Sequence, residues 1–290
     1  NKKRWMIGIG AAAILLVCVI FFFTGRGVGN PSGTVGTGDS QAAGGTEASS
    51  DVEISSDTTE TEAVSLTAAN VLREDEVPEG QEEKTYFLQT DILCEDILSI
   101  TFFDSLDGAP EDAWDVSAAQ SGSVMAWAEA AGTRYDVYIA GEGGVAGHPN
   151  SADLFMNCVN MTSLNFNGCF DTSRITDMGR MFCNCSSLTE LDVSGFDTSQ
   201  AESMMSMFYG CSDLTELDVS GFDTSGVTNM YSMFYNCSSL TELDVSGFDT
   251  SQVTNIQRMF GGCAGVTELD VSGFDTSQVT TMRSMFNGCA

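Results

Sequence analysis

Hydrophobic and polar positions recur with a fixed period in the second half of the chain. The nonapeptide LDVSGFDTS begins at Leu191, Leu217, Leu243 and Leu269, so successive copies lie 26 residues apart. A second motif, Met-x-x-Met-Phe-x-x-Cys, runs between the copies. Self-similarity at a fixed period of this size predicts a solenoid, in which each repeat packs on its neighbours.

One copy of the repeat indicates its elements. Met230, Met233, Phe234 and Cys237 have the i, i+3, i+4, i+7 spacing of one helix face, and Thr228 just before them is a candidate N-cap. The alternation over 240–245 favours a short strand. We therefore predict an α/β solenoid of the leucine-rich-repeat type over 151–290, with one short helix and one short strand per 26-residue repeat. The last copy stops before its strand, so the array is expected to be truncated at its C-terminus.

The first half of the chain has a different pattern. Short runs rich in β-branched and aromatic residues predict strands at 97–103, 124–128 and 135–140. Because a solenoid needs a cap on its apolar end, 85–150 is expected to be a β-rich N-terminal cap. Residues 24–84 are rich in Gly, Ser, Thr, Ala and acidic residues, which predicts a disordered acidic stalk.

Residues 5–23 form an uninterrupted run of apolar residues and glycine. As a helix, this run would span about 28 Å, close to the thickness of a bilayer core, so it predicts a transmembrane helix. Three basic residues precede it, which makes 1–4 a cytoplasmic stub and places the repeats outside the cell. The expected localisation is a single-pass cell-membrane protein. A cleaved signal peptide and a lipoprotein modified at Cys18 remain as alternatives.

The charge of the chain narrows the classes of partner. Its formal net charge is −30, and only the segment 1–23 is basic. Such a chain repels phosphate backbones, which argues against nucleic acid as a partner.

The period also predicts ladders of carboxylates on the solvent face. Neighbouring carboxylates in such a ladder repel one another, which either raises their pKa values or favours the binding of a cation such as Ca²⁺. The alternative, which we favour, is a solvated acidic face with no metal and no cofactor. The candidate residues are Glu190, Asp192, Glu216, Asp218, Glu242, Asp244, Glu268 and Asp270.

Cysteines recur with the same period, from Cys185 to Cys289. Stacked at the repeat spacing, their Cβ atoms would lie too far apart for disulfides, so we predict buried thiols that pack as small apolar groups. Cys169 and Cys183 break the pattern, and a disulfide between them is a further hypothesis.

Catalytic patterns are weak in this sequence. His148, the single histidine, lies in a Gly-His-Pro turn, and there is no G-x-S-x-G motif or phosphate-binding glycine loop. We therefore expect no enzyme activity. A hydrolase that uses a pair of carboxylates in 85–150 remains an alternative.

The outer positions of the predicted helices differ between copies and offer a surface for recognition. Tyrosine and arginine are favoured at protein interfaces, so these positions form a candidate partner-binding surface. The residues are Tyr209, Tyr231, Tyr235, Arg258 and Arg283.

Repeats of the form LDVSGFDTSxVTNMxxMFxxC resemble the BspA-like leucine-rich repeat surface proteins of bacteria. The resemblance covers 154–290, and the stretches 113–118 and 138–145 look like the lead-in of that family. Most leucine-rich repeats carry Asn where this chain has Phe196 and its equivalents, although the BspA-like family itself uses Phe. The resemblance implies an exported surface protein, with adhesion or host-protein binding in some members.

These patterns together predict a membrane-anchored, extracellular, non-catalytic repeat protein for protein–protein interaction or adhesion. Its partner is expected to be a protein on a host or neighbouring cell surface or in the matrix, with no small-molecule substrate. A structural spacer that displays a further domain beyond residue 290, or an exported hydrolase, are the alternatives.

Overall fold

The computed structural model describes residues 70–75 and 85–289. Within these ranges the chain forms strands and turns, with short 3₁₀ turns at Phe87–Gln89 and Cys94–Asp96 and no α-helix. The strands are β1 (Ile97–Phe103), β2 (Trp114–Asp115), β3 (Val124–Ala131), β4 (Arg134–Gly141), β5 (Val145–Ala146), β6 (Ser163–Asn165) and β7 (Phe170–Asp171).

Five of these strands form one mixed sheet in the order β2-β3-β4-β1-β6. β1 pairs in parallel with β4 and β6, whereas β3 and β4 form an antiparallel hairpin. The three strands predicted in this region are therefore present. Phe102 and Ile139 on one face of the sheet are fully buried. β6 contains Leu164, which precedes Leu191 by 27 residues and so belongs to an irregular copy of the repeat ahead of the regular ones. The sheet and the repeats therefore share one hydrophobic core.

The repeats are built from turns, so the predicted α/β solenoid is wrong. Between Met204 and Cys211, the amides of Met207 and Cys211 donate to the carbonyls three residues earlier, of Met204 and Phe208. An α-helix would require bonds to the fourth residue back. The third residue of the first turn, Ser206, has a φ of 55°, a conformation typical of tight turns and incompatible with a helix.

The other predicted elements of the repeat also differ from the structure. Thr228, the predicted N-cap, donates its hydroxyl to the carbonyl oxygen of Glu202 in the preceding repeat, at 3.2 Å. Leu243 and Val245 are buried as expected, but they form no strand. Along this side of the described repeats, the pairing is limited to an isolated bridge between Glu190 and Glu216.

Backbone hydrogen bonds along the array hold successive repeats in register. Over a stretch of seven residues in each repeat, the amides of the first, third, fifth and seventh residues donate to carbonyls of the next repeat. The same four bonds form at the junctions that follow Met178, Met204, Met230 and Ile256. For the repeat at Met204 the bonds are Met204 N to Asn229 O (3.1 Å), Ser206 N to Tyr231 O (2.8 Å), Phe208 N to Met233 O (2.9 Å) and Gly210 N to Tyr235 O (2.8 Å).

A column of stacked phenylalanine rings fills the interior of the array. Consecutive rings in this column lie 5.5–5.8 Å apart, and their planes differ by no more than 11°. The spacing matches the register set by the backbone bonds, so each repeat contributes one ring to a continuous core. The members are Phe155, Phe182, Phe208, Phe234, Phe260 and Phe286.

The N-terminal predictions fall largely outside the described ranges. The predicted stub (1–4) and transmembrane helix (5–23), and most of the predicted stalk, are not among the described residues. Residues 70–75 of that stalk are described, and there Val71 and Leu72 are buried and form bridges to Ala146 and Ser117.

The predicted membrane localisation has to be corrected. Across 70–75 and 85–289, no helix is long and apolar enough to cross a bilayer. Because the segment on which that prediction depended lies outside the described residues, a single-pass membrane protein with extracellular repeats is not retained.

Candidate partner-binding surface

Four of the five predicted interface residues lie together on the surface of the array. The rings of Tyr209 and Tyr235 stack with their centroids 5.1 Å apart and their planes at 16°. The guanidinium of Arg258 lies 5.9 Å from the centre of the Tyr235 ring, and its Nη1 donates to the hydroxyl oxygen of Tyr231 at 3.4 Å. We call Tyr209, Tyr231, Tyr235 and Arg258 the Tyr–Arg patch.

The turn structure of the repeat explains why these side chains meet. Tyr209 and Tyr235 each follow a buried phenylalanine of the central column, so both point outward at equivalent places in adjacent repeats. The next equivalent residue is Gly261, where a Cβ would lie 2.9 Å from Cδ2 of Tyr235. The glycine therefore leaves room for the Tyr235 ring, over which the Arg258 guanidinium lies.

The fifth residue, Arg283, is placed differently. It is exposed, and it contacts the patch through a backbone hydrogen bond in which the amide of Arg258 donates to its carbonyl oxygen at 3.0 Å. The structure thus brings four of the predicted residues together and leaves Arg283 at the edge.

The surroundings of Tyr209 favour its neutral form. Partial burial raises the pKa of Tyr209, and the neighbouring Tyr235, Cys183 and Tyr231 add to this effect, whereas Arg258 opposes it. Since an ordinary tyrosine is already neutral at pH 7, the Tyr209 hydroxyl remains a hydrogen-bond donor at physiological pH.

The acidic ladders lie on the exposed surface, and the pKa values of their aspartates shift in the direction opposite to that expected from repulsion. Oδ1 of Asp218 accepts hydrogen bonds from the amide (3.0 Å) and the hydroxyl (2.7 Å) of Ser220. These bonds lower the pKa of Asp218, whereas repulsion was expected to raise it. The same change applies to the equivalent residues Asp192, Asp244 and Asp270.

The glutamates of the ladder, Glu190, Glu216, Glu242 and Glu268, are also exposed. In the described part of the chain, no group of three or more His, Cys, Asp or Glu residues is placed to hold a metal ion.

The cysteine ladder is buried except at Cys289, which is partly exposed, and it carries a contact that the sequence did not indicate. Its members are Cys185, Cys211, Cys237, Cys263 and Cys289. The thiol of each ladder cysteine donates to the carbonyl oxygen of a phenylalanine in the preceding repeat, at 3.0–3.1 Å. The hypothesis of a disulfide between Cys169 and Cys183 fails, because Cys169 is a free thiol whose Sγ donates to the carbonyl oxygen of Asn167.

Sequence reasoning missed a second cluster, on the five-stranded sheet. Phe103, Trp127 and Tyr138 lie on the same face, with ring centroids 5.5–6.4 Å apart. The available signal was alternation along the predicted strands, which points these residues away from the buried neighbours Phe102 and Ile139.

Comparison with known proteins identifies similarity in the repeats. A family described as "Mycoplasma protein of unknown function, DUF285" matches residues 150–265 and 215–290, slightly less than half of the chain. The two matches overlap, as a repeated sequence allows. They support a family of surface repeat proteins, but they do not confirm the finer resemblance to BspA-like leucine-rich repeats. No curated protein and no solved structure matches the chain.

Proposed function

We propose that this chain is a non-catalytic repeat protein that binds a protein partner through the Tyr–Arg patch. The observation that supports the proposal is the clustering of three tyrosines and one arginine from successive repeats on one exposed surface. Tyrosine and arginine contribute most of the binding energy in many interfaces, because they offer large, rigid contact areas with polar ends.

The stacking within the patch reduces the entropic cost of binding. Tyr209 is held against Tyr235, and Arg258 is held over the same ring, so these side chains lose little further freedom when a partner covers them. The net charge of −30 would also steer a basic partner toward the chain.

The resemblance to BspA-like proteins narrows the kind of partner. In that family, adhesion or host-protein binding is described for some members. We therefore propose a protein partner of the kind found on host or neighbouring cells or in the extracellular matrix, and a relationship to the BspA-like proteins themselves.

The test uses the full chain in binding assays against immobilised matrix and cell-surface proteins. The variant Tyr209→Ala/Tyr231→Ala/Tyr235→Ala should weaken binding to a retained protein at least about tenfold, because hot-spot aromatic residues have effects of this size. The matched control replaces three exposed, repeat-spaced glutamines, Gln200, Gln252 and Gln278, by alanine and should bind as the natural chain does.

Two results would contradict the proposal: retention on none of the proteins, or equal binding by the tyrosine and glutamine variants. Thermal unfolding of both variants is measured in parallel, so that a loss of fold is not mistaken for a loss of contact.

A further inference from the structure

The outer face of the five-stranded sheet carries an aromatic cluster that the repeats do not cover. Trp127 on β3 is directly opposite Tyr138 on β4, and Tyr138 is opposite Thr101 on β1. Phe103 lies two residues after Thr101 and therefore points to the same face. We call Phe103, Trp127 and Tyr138 the aromatic trio.

The rings of the trio lie nearly parallel to one another. The Trp127 and Tyr138 centroids are 5.5 Å apart with the planes at 27°, and the Phe103 and Trp127 planes differ by 12°. Phe103 is 37% exposed, although its neighbour Phe102, on the opposite face, is fully buried. Aromatic surface therefore remains open to solvent on a sheet whose other face is core.

Carboxylates surround this aromatic surface. The trio lines a groove of about 270 Å³ together with Asp104, Asp107 and Glu129, and no basic residue within 70–75 and 85–289 lines it. Burial raises the pKa of Tyr138, and the charges of Glu129 and Asp136 and a hydrogen bond with Glu129 raise it further. The contribution of the two charges reflects negative potential at this face. The surrounding segment 85–150 holds eleven acidic residues and a single basic one, Arg134.

The charge and the chemistry of the groove select the class of ligand. Aromatic faces attract cations through their quadrupole, and tryptophan does so most strongly. Carboxylates at the rim add charge attraction and exclude anions such as phosphates. The volume lies near the lower limit of small-molecule pockets, so the groove suits a group of side-chain size. A guanidinium both stacks on rings and forms paired hydrogen bonds with carboxylates, which an ammonium group cannot do in the same way.

We propose that the groove formed by the aromatic trio with Asp104, Asp107 and Glu129 binds an arginine side chain of a basic peptide segment. This site is separate from the Tyr–Arg patch, because it lies on the sheet and contains none of the repeat tyrosines. It gives the chain a second recognition surface with the opposite chemistry: the patch presents a cation, and the groove receives one.

The test is a calorimetric titration of the full chain with a short Gly/Ser peptide that has one central arginine. The same peptide with citrulline, a neutral molecule of nearly equal shape, is the matched ligand. Loss of the cation–aromatic and charge interactions should weaken binding by about 5- to 30-fold for citrulline and for the variant Trp127→Ala.

A second variant separates the groove from the overall charge of the chain. Glu129→Gln should weaken arginine binding about fivefold, because it removes a rim carboxylate and preserves the shape of the side chain. Asp112→Asn removes the same charge from an exposed residue outside the groove and should change binding less than about twofold.

Several outcomes would overturn the proposal. Equal binding of the arginine and citrulline peptides would show that charge is not recognised, and equal effects of Glu129→Gln and Asp112→Asn would show general attraction to an acidic chain. Absence of binding to the arginine peptide, with binding of a neutral oligosaccharide instead, would assign the trio to carbohydrate. If Trp127→Ala fails to fold, the Glu129→Gln and citrulline comparisons still decide. The Tyr209/Tyr231/Tyr235 alanine variant should keep its arginine binding, so failure of one proposal leaves the other intact.

Discussion

The thiol of Cys237 donates a hydrogen bond to the carbonyl oxygen of Phe208 in the preceding repeat, over 3.0 Å. Both residues are fully buried, so the sulfur supplies a second partner, besides the amide of Cys211, to a carbonyl that no water can reach. The cysteine ladder is therefore a polar link between repeats as well as part of the apolar core.

This burial predicts a loss of stability at alkaline pH. Desolvation raises the pKa of Cys237 well above its ordinary value of 9.0, and that of Cys263 to about 12. Between the ordinary pKa of 9.0 and the raised pKa of the folded thiol, the unfolded chain loses thiol protons that the folded chain keeps. Stability is therefore full below about pH 9 and falls as the pH rises. Each such thiol should lower the free energy of unfolding by about 1.4 kcal/mol per pH unit in that range.

Urea unfolding between about pH 7 and 11 measures this dependence. In Cys237→Ala, the decline above pH 9 should be shallower, because one of the buried titrating groups is gone. An unchanged slope would show that the ladder thiols do not control alkaline stability.

The substitution Gly210→Ala distinguishes the turn structure of the repeat from a helix, because it should change the free energy of unfolding in opposite directions in the two structures. Within a helix, Gly210→Ala would stabilise the protein by about 0.5–1 kcal/mol. In the structure Gly210 has a φ of 73°, and a Cβ there would lie 2.6 Å from Oδ1 of Asn184. We therefore expect a destabilisation of about 1–3 kcal/mol in chemical denaturation. The control is Gly195→Ala, where the Cβ would meet open space. Stabilisation by Gly210→Ala would contradict the turn structure and support a helix at this position.

The phenylalanine column predicts a gradient of sensitivity along the array. Phe234 stacks on Phe208 and Phe260 and is fully buried, whereas Phe286 is 47% exposed and stacks on Phe260. Phe234→Ala should lower the free energy of unfolding by about 3–5 kcal/mol, and Phe286→Ala by about 1 kcal/mol. Similar losses from the two substitutions would mean that the central ring gains nothing from having two stacked neighbours.

The serines of the nonapeptide predict the titration of the acidic face. Ser220→Ala removes the hydroxyl that donates to Oδ1 of Asp218 and leaves the amide bond in place. The pKa of Asp218 should therefore rise toward its ordinary value of 3.8, as measured by NMR titration of its carboxyl carbon. Asp244, whose partner Ser246 is unchanged, is the internal reference. If Asp218 and Asp244 titrate identically in the variant, the hydroxyl bond does not set the pKa.

The sequence predicted which positions of the repeat are buried much better than it predicted the backbone. Met204, Met207, Phe208 and Cys211 are all fully buried, as their spacing indicated. That spacing fits a helix face, but two consecutive turns bring the same residues to one side. The bonds that favour the turns come from the next repeat, and such non-local partners leave no mark in a local pattern.

One local signal did argue against a helix. The residue before each ladder cysteine is glycine or asparagine, as at Gly210 and Asn236, and these types tolerate the positive φ found there. The strand at 97–103 was predicted correctly, because its β-branched and aromatic residues pack on a pleated surface. The Tyr–Arg patch was predicted as a set of outward residues, but the contact of Arg258 with Tyr231 depends on the register between repeats.

The backbone bonds between repeats also give the array an electrical direction. At each junction four N–H groups point toward the later repeat, and their carbonyl partners point back. Bonds in the opposite direction are donated by the amides of Thr228, Thr254 and Thr280 and, nearer the start of the array, by those of Asp213, Thr215 and Ser239. At the junctions that follow Met204, Met230 and Ile256 the four forward bonds outnumber them. Since each peptide unit carries a dipole of about 3.5 D, the aligned units sum to a macrodipole whose positive pole faces the later repeats. Every repeat added to the stack lengthens this dipole without adding any ionised side chain.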